Sequence, residues 1–379
     1  MRDLSKFKGC LIGGAVGDAL GYAVEFMPAS TIFQKYGKKG ITEYELRHGV
    51  AEISDDTQMT LFTATGLLVG TTRGMARGIM GNYEGYIAYS YRDWYRTQTE
   101  RYPLPEEFHY SWLVNLPEMF SLRAPGNTCL SALQQGGNGS IGNPPNHSKG
   151  CGGIMRVAPI GLYFTGKGLT PEEIDIIGAK TAALTHGHEL GYIPAAMLAH
   201  IIWRITESGT TILDAVKDAM GMMPVIFPEA KHMDDLLALI RKAVALSKED
   251  RNDLDAIRQL GEGWVAEETL AIGVYCALKY SDDFQKGIVA AVNHDGDSDS
   301  TGAVAGNILG AFLGFDAIPQ KYLDRLELKN VILEIAEDLC FDCRISGHGQ
   351  GDALWESKYI RMSYIGKGAA GFEIADYTI

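Results

Sequence analysis

The stretch from His294 to Thr301 carries three aspartates separated by single small residues, and an apolar helical pattern follows it. The alternating Asp297 and Asp299 can place two carboxylates on one side of an extended turn, and hard cations such as Mg²⁺ or Ca²⁺ prefer oxygen ligands of this kind. Asp299 or Ser300 is also a suitable N-cap for the helix that follows. The stretch therefore fits either a divalent-cation site or an acidic loop with an ordinary helix cap. It does not match an EF-hand loop, which needs a glutamate at position twelve.

A second acidic pair lies at Asp55 and Asp56, directly after Ser54. Ser54 or Asp55 can cap a helix that runs to about residue 69. Adjacent carboxylates do not share a helical face and are usually solvated. At the start of a helix, however, both can turn inward to one ion, with the Ser54 and Thr57 hydroxyls nearby.

Two further stretches could bind a ligand. Residues 136–150 form a glycine-rich loop by composition, and a loop of this kind that opens a helix offers backbone N–H groups to a phosphate. It is neither a Walker loop nor part of a dinucleotide fold, so a plain loop is the alternative. His186 and His188 are two residues apart on a predicted helix. Their side chains therefore do not share a helical face and cannot form a zinc-binding pair. Each is either a structural histidine or a contact to a ligand.

The elements that position these residues are indicated by glycine spacing. Glycines recur every fourth residue in two segments, at 9–21 and at 302–314, and Glu25 continues the first row. Residues four apart share one helical face. We therefore expect two glycine-faced helices that cross closely and bring acidic residues together, although 45 glycines also allow a coincidence. The apolar run after Gly302 is too short to span a membrane.

Composition narrows the class of protein. A chain of 379 residues with 46% hydrophobic and 21% charged residues has an ordinary globular composition. The net charge of −13 disfavours a nucleic-acid partner. No signal peptide or membrane segment is expected, and six scattered cysteines are typical of free thiols in a reducing cytoplasm. The lone pair Cys340 and Cys343 is a weak zinc signal.

Helical periodicity dominates the chain, and hardly any alternating strand pattern occurs before residue 355. We predict one all-α domain over residues 1–345, with Tyr322–Cys340 as its last long helix. Residues 346–379 form a C-terminal extension of unknown role. Alternation in that extension predicts a short β-hairpin over residues 355–379.

Six motifs together resemble the ADP-ribosylglycohydrolases, and they are most similar to the arginine-specific branch that includes the dinitrogenase reductase-activating glycohydrolases of bacteria. The resemblance covers about residues 5–340. In chain order, the motifs are Gly17-Asp18-Ala19-Leu20-Gly21 with Glu25-Phe26, Ser54-Asp55-Asp56-Thr57, Gly150-Cys151-Gly152-Gly153-Ile154-Met155-Arg156, Thr185-His186, Gly263-Trp264-Val265-Ala266-Glu267 and Gly296-Asp297-Ser298-Asp299-Ser300-Thr301-Gly302.

The resemblance implies a compact orthogonal helical bundle with two Mg²⁺ or Mn²⁺ ions in a central cleft. It implies a hydrolase that releases ADP-ribose from an arginine side chain of a modified protein. By motif position, the metal ligands are Ser54, Asp55, Asp56, Asp297, Asp299 and Ser300, and Glu25 lies beside the metals. The ADP-ribose-binding residues are Gly126, Asn127, Thr128, Ser148, Lys149, Gly150, Cys151 and Gly152, with His186 near the ligand.

The chemistry of these residues is compatible with that reading. Five carboxylates in one cleft repel one another unless cations lie among them, and a ligand set without histidine or cysteine argues against zinc. Glu25, Asp55 or Asp56 can serve as the general acid or base at the anomeric carbon, and the sequence does not choose among them.

A helix rich in Tyr and Trp is predicted from Tyr86 to Arg96. One departure from the family pattern concerns an Asp-Ile-Gly that many members carry just after this aromatic helix. This chain lacks it, so either Glu100, Glu106 or Glu107 substitutes or the role is absent. The alternatives are therefore hydrolysis of another linkage, such as serine or a small-molecule conjugate, hydrolysis of another phosphate-bearing substrate on the same fold, and a catalytically silent ADP-ribose-binding protein.

Overall fold

The computed structural model describes residues 2–105, 108–345 and 351–366. Over these ranges the chain is an all-α bundle, which confirms the predicted fold class. The described residues form no β-sheet and contain isolated bridges, such as the one between Ala51 and Leu326. The α-helices in these ranges are α1 (Leu4–Tyr22), α2 (Ala29–Tyr36), α3 (Asp55–Arg77), α4 (Tyr83–Thr99), α5 (Asn127–Gln134), α6 (Ala158–Phe164), α7 (Pro171–Ala183), α8 (Glu189–Ser208), α9 (Ile212–Ile226), α10 (Met233–Leu246), α11 (Asp253–Ile257), α12 (Ala266–Lys279), α13 (Phe284–Val292), α14 (Ser298–Leu313), α15 (Gln320–Leu323), α16 (Lys329–Phe341) and α17 (Ala353–Tyr359). Short 3₁₀ helices include Trp112–Asn115, Pro117–Phe120, Cys151–Gly153 and Phe315–Ala317.

Helices α1 and α14 cross at the centre of the bundle through their glycine faces. A Cβ atom added to Gly17 would overlap the carbonyl of Gly302, and one added to Gly306 would overlap the carbonyl of Gly13. The same close approach recurs one turn further along, between Gly9 and Gly310. The glycine spacing thus correctly predicted this crossing, which is possible only because no side chain separates the two backbones.

Asp18 joins the start of α3 to α1. Its buried carboxylate accepts hydrogen bonds from the backbone N–H groups of Ser54 (3.0 Å) and Thr57 (3.1 Å) and from the Thr57 hydroxyl. N–H groups in the first turn of a helix have no partner within the helix. Asp18 therefore supplies that partner and holds the acidic start of α3 against α1.

The predicted long helix Tyr322–Cys340 is in fact two helices, α15 and α16. The segment between them turns back to Ala51, whose N–H donates to the Arg325 carbonyl at 2.8 Å and whose carbonyl accepts from the Glu327 N–H at 3.1 Å. Leu328 then adopts a left-handed conformation with φ of 53°. Hydrogen bonds to a distant part of the chain therefore interrupt an otherwise helical sequence.

The C-terminal hairpin prediction is wrong for the part of the extension that the structure describes, where Ala353–Tyr359 forms helix α17. Asp352 caps this helix by accepting from the Trp355 N–H at 2.9 Å. Trp355 and Tyr359, four residues apart on one face, are both buried. The rest of the predicted hairpin, residues 367–379, lies outside the described residues.

The division at residue 345 stays a prediction. Within the described ranges, no helix is both long and apolar enough to cross a membrane.

Candidate active site

The first wall of the site is the N-terminus of α3. Ser54 is the N-cap, and its hydroxyl accepts from the Asp56 N–H at 3.2 Å. Asp55 and Asp56 occupy the first turn, and both are buried. Asp55 accepts a long bond of 3.4 Å from the Gly126 N–H, whereas Asp56 Oδ2 has no hydrogen-bond partner. Both carboxylates thus turn inward, the less common of the two arrangements that the sequence allowed.

The second wall is the start of α14. Asp297 is the N-cap, so the sequence-based choice of Asp299 or Ser300 for this position is wrong. The Ser300 N–H lies 3.2 Å from Asp297 Oδ1 and 3.0 Å from Asp299 Oδ1. Behind the loop, Thr301 hydrogen-bonds the buried His294 at 2.8 Å. The loop is therefore fixed from inside, and both carboxylates are held at the helix start.

The electrostatics show that these carboxylates share one region. Burial raises the pKa of Glu25 to about 9, and the negative charges of Asp297, Asp55 and Asp18 contribute to the rise. Asp18 itself has its pKa raised to about 6, chiefly by burial and against the effect of its hydrogen bonds.

The other aspartates show the same pattern. Burial, and then the charges of Asp55, Asp18 and Asp297, raise the pKa of Asp56 well above its ordinary value. The pKa of Asp299 is raised well above its usual range by burial and by Asp297, Asp56 and Glu25. The carboxylates of the two walls and Glu25 therefore interact electrostatically, as expected for a single acidic cleft.

The donor set fits a hard divalent cation. Glu25 Oε2 and Asp56 Oδ2 are buried oxygens without a hydrogen-bond partner, and buried unpaired carboxylates are costly unless a positive charge compensates them. The surrounding donors are carboxylate and hydroxyl oxygens, which suit Mg²⁺ or Mn²⁺ better than softer metals. Across the described ranges, however, no three His, Cys, Asp or Glu side chains already converge as a metal-binding group. The identity and number of metal ions, and the ligand set, stay predictions.

The predicted substrate loops do lie together. The Thr128 and Ser148 hydroxyls are 3.2 Å apart, and Asn146 accepts from the Ser148 N–H at 2.9 Å. Asn127, Thr128, Asn146 and Ser148 line one cavity of about 530 Å³. Its volume lies in the range of small-molecule sites.

The glycine segment after this cavity is held more tightly than the sequence suggested. The Gly150 N–H donates to the Ser148 hydroxyl at 3.2 Å, and the Cys151 N–H donates to the Trp264 carbonyl at 3.2 Å. These two N–H groups therefore already have partners in the protein. Lys149 is ion-paired with Glu267.

His186 lies behind the same segment. A Cβ atom at Gly152 would be 3.0 Å from its Cε1 atom. Burial, assisted by the positive charge of Arg156, lowers the pKa of His186 to about 3. Its Nδ1 atom is 2.9 Å from the Thr185 hydroxyl, which accepts from the buried Arg156 at 2.6 Å. His186 is thus a neutral imidazole in a fixed orientation at neutral pH.

Of the three glutamates suggested as substitutes for the missing Asp-Ile-Gly aspartate, the structure describes only Glu100, which lies outside the cleft. Glu100 is exposed and ion-paired with Arg96 at 2.7 Å, while residues 106 and 107 lie outside the described residues. Near the end of α4, the Trp94 indole donates to the Gln58 amide oxygen of α3 at 3.0 Å, and the Gln98 amide donates to the same oxygen at 3.3 Å.

Sequence reasoning missed the structural roles of Asp18 and Arg156. Both were visible as charged residues within apolar or glycine-rich stretches, and fully buried charges are rare unless they are paired. It also missed the contact between Phe26 and Trp264, which stack with ring centroids 5.8 Å apart. No sequence signal could have found that contact, since 238 positions separate the two rings.

Comparisons with known proteins found a family match and several relatives. The family profile described as ADP-ribosylglycohydrolase matches residues 1–347. The chain is 24% identical to the ADP-ribosylhydrolase ARH3 of Homo sapiens, covering 86% of this chain and 90% of that protein. It is 25% identical to the ADP-ribosyl-[dinitrogen reductase] glycohydrolase of Rhodospirillum rubrum, covering 85% and 90%.

It is also 25% identical to an ADP-ribosylarginine hydrolase of Serratia proteamaculans, covering 90% of this chain and 80% of that protein. Among solved structures, an ADP-ribosylglycohydrolase-related protein complex matches with a TM-score of 0.61 at 23% identity, covering 89% of this chain and 98% of that one. This structural likeness shows the shared fold.

Proposed function

The chain belongs to the ADP-ribosylglycohydrolase family, and we propose that it is a dimetal-dependent hydrolase that removes ADP-ribose from modified arginine side chains of proteins. The observation that carries the proposal is the buried acidic cleft, in which Glu25 and the aspartates of two helix starts lie buried and two carboxylate oxygens, Glu25 Oε2 and Asp56 Oδ2, have no hydrogen-bond partner. Such a cleft attracts cations, both metal ions and a guanidinium group. The proposal is also supported by the names of two relatives, an ADP-ribosylarginine hydrolase and a dinitrogen reductase glycohydrolase.

The metal ions, Mg²⁺ or Mn²⁺, would be held by Ser54, Asp55, Asp56, Asp297, Asp299 and Ser300. When bound, they would supply Lewis acidity and neutralise the cleft. Asp18 and the hydrogen bonds at Ser300 keep the two helix starts in place, so the ligand oxygens are oriented before any ion binds.

The nucleotide part of the substrate would occupy the cavity beside Asn127, Thr128 and Ser148. Its hydroxyl and amide groups can hydrogen-bond phosphate and ribose oxygens. The neutral His186 can donate or accept one hydrogen bond without adding charge. These contacts would hold the anomeric carbon of the distal ribose against the carboxylates. Holding the reacting atoms in place in this way lowers the barrier to hydrolysis.

Hydrolysis exchanges the bond between the anomeric carbon and the guanidine nitrogen for a bond to a water oxygen. One of the three carboxylates Glu25, Asp55 and Asp56 can give a proton to the leaving nitrogen as the general acid. Another of the three can accept the proton that the water loses. The products are ADP-ribose and unmodified arginine.

A turnover assay tests this proposal. The protein is incubated with an arginine-ADP-ribosylated peptide and Mg²⁺, and released ADP-ribose is measured. We expect release that stops on chelation and is lost in Asp297→Asn. Absence of release by the wild-type protein with either Mg²⁺ or Mn²⁺ would refute the arginine assignment.

Hydrolysis of another ADP-ribose linkage is the second candidate. It is favoured by the missing Asp-Ile-Gly, since the segment after α4, which begins at Glu100, does not carry that acid.

We also propose a cytoplasmic location, which is supported by six cysteines that are all free.

A further inference from the structure

An aromatic pair remains exposed beside the acidic cleft. Phe26 and Trp264 stack with their ring planes 19° apart. Despite this contact, Phe26 is 73% exposed and Trp264 is 38% exposed. It is unfavourable for large apolar side chains to stay exposed to water, and exposed apolar patches often mark binding sites.

The backbone places this pair at the reacting end of the cleft. Phe26 directly follows Glu25, the residue whose pKa is affected by Asp297 and Asp55. The segment of Trp264 is tied to the second wall, because the Asp297 N–H donates to the Glu262 carbonyl at 2.8 Å. The cavity beside Asn127 and Ser148 includes neither ring in its lining. The pair is therefore adjacent to the carboxylates at which the glycosidic bond would break, and on its other side the Trp264 carbonyl accepts from the Cys151 N–H at 3.2 Å.

A free carboxylate lies in the same segment. Glu262 is exposed, and its side chain makes no hydrogen bond or ion pair with any described residue. Aromatic faces bind a guanidinium group by stacking and cation–π attraction, and a carboxylate can pair with it through two parallel hydrogen bonds. The segment 262–264 and Phe26 together offer both kinds of contact.

Building on the proposed function, we propose that Phe26 and Trp264 bind the arginine side chain of the modified protein, with Glu262 as the carboxylate that pairs with its guanidinium group. The pair acts as a specificity element on the acceptor side of the bond. A serine acceptor offers no planar cation to stack on these rings, so the site favours arginine by a contact that ADP-ribose itself does not make.

The test separates acceptor binding from nucleotide binding. Phe26→Ala, Trp264→Ala and Trp264→Phe are compared with Phe341→Ala, a control that removes an aromatic ring of similar exposure at the end of α16. KM and kcat are measured on an arginine-ADP-ribosylated peptide, and the Kd of free ADP-ribose is measured on the same proteins.

We expect the two alanine variants at the pair to raise KM by roughly two- to thirtyfold, the range of a lost cation–π contact. Their Kd for ADP-ribose should stay within twofold of wild type. Trp264→Phe should recover most of the loss, and Phe341→Ala should leave KM unchanged. Glu262→Gln should raise KM in the same direction, with a weaker effect at high salt because the partner is exposed.

An unchanged KM in both alanine variants would overturn the inference while leaving the proposed function intact. A parallel loss of ADP-ribose affinity would also overturn it, since the rings would then belong to the nucleotide site. Wild-type protein without arginine turnover would refute the proposed function itself, a result seen before any variant is made.

Discussion

At the residue scale, the site depends on carboxylates that are kept buried at an electrostatic cost. Asp56 Oδ2 and Glu25 Oε2 have no hydrogen-bond partner, and each charge raises the pKa of its neighbours. The sequence predicted the acidic pairs, because alternating and adjacent aspartates at helix starts are visible in a single chain. It could not predict that Asp18 would hold the Asp55 segment in place, since that depends on a crossing of distant helices.

Replacing Asp297 by Asn should lower activity on the order of a hundredfold or more, as expected when a metal-site group is removed. In metal-free buffer the melting temperature of the variant should be no lower than that of wild type. The substitution removes one of several buried negative charges that repel one another, and the Asn side chain can still cap α14. Released ADP-ribose measures the activity, thermal unfolding measures the stability, and calorimetric titration measures the Mg²⁺ affinity. Asp299→Asn should show the same effects.

Asp295→Asn is the matched control for this prediction. Asp295 lies in the same loop but is ion-paired with Arg258 at 2.9 Å. It should retain Mg²⁺ affinity and lose at most about 1 kcal/mol of stability, as is usual for an exposed pair. Full divalent affinity in both Asp297→Asn and Asp299→Asn would show that the ligand assignment is mistaken.

His186 should make the protein sensitive to acid. Its pKa is about 3 in the folded protein against 6.5 ordinarily, so below pH 6.5 the unfolded chain binds a proton that the folded chain does not. Stability should therefore fall as the pH drops from 6.5 towards 3, by up to about 1.4 kcal/mol per pH unit from this group.

Urea unfolding of wild type and His186→Asn between pH 4.5 and 7 measures the histidine's share of that slope. The slope should be shallower in His186→Asn, whereas an exposed control, His147→Asn, should follow wild type. Identical slopes for wild type and His186→Asn would contradict a buried neutral imidazole.

At the element scale, the crossing of α1 and α14 organises the cleft. The row of Gly9, Gly13, Gly17 and Gly21 faces α14, and Glu25 follows that row near the start of α14. Glycines four apart predict such a face because the pattern follows from helix geometry alone. The break between α15 and α16 escaped prediction because it arises from hydrogen bonds to Ala51, far away in the chain.

Gly306→Ala should destabilise the protein by about 3 kcal/mol, because even a methyl group would overlap the Gly13 carbonyl. Gly221→Ala, in the middle of α9, meets no atom within 4 Å. It should stabilise by about 0.5–1 kcal/mol through helix propensity. Denaturant midpoints compare the two variants, and equal midpoints would refute the close crossing.

At the scale of the whole molecule, the C-terminal segment is part of the packed bundle. Lys358 is buried between Glu334 at 2.8 Å and Asp338 at 2.6 Å, and Trp355 donates to Thr72 at 2.9 Å. The alternating pattern of residues 358–365 resembled a strand, but the Asp352 cap and the buried Lys358 belong to helix α17, which ends at Tyr359, and residues 361–366 form neither helix nor strand. Composition could not reveal this, because the partners of Lys358 lie on another helix.

Lys358→Met should cost about 3–5 kcal/mol, because it leaves two buried carboxylates without their cation. Lys231→Met, at an exposed lysine, should be nearly neutral. Urea denaturation of the two variants is the measurement. A midpoint for Lys358→Met equal to that of wild type would show that α17 is only loosely attached to the bundle.

The central claim, arginine-linked ADP-ribose hydrolysis, is tested most directly on matched peptides that carry ADP-ribose on arginine or on serine. Released ADP-ribose is measured with Mg²⁺ present, at low and at moderate salt. We expect clear turnover of the arginine peptide, stronger at low salt because the chain has a net charge of −13, and little turnover of the serine peptide. Turnover of the serine peptide with none of the arginine peptide would contradict the assignment.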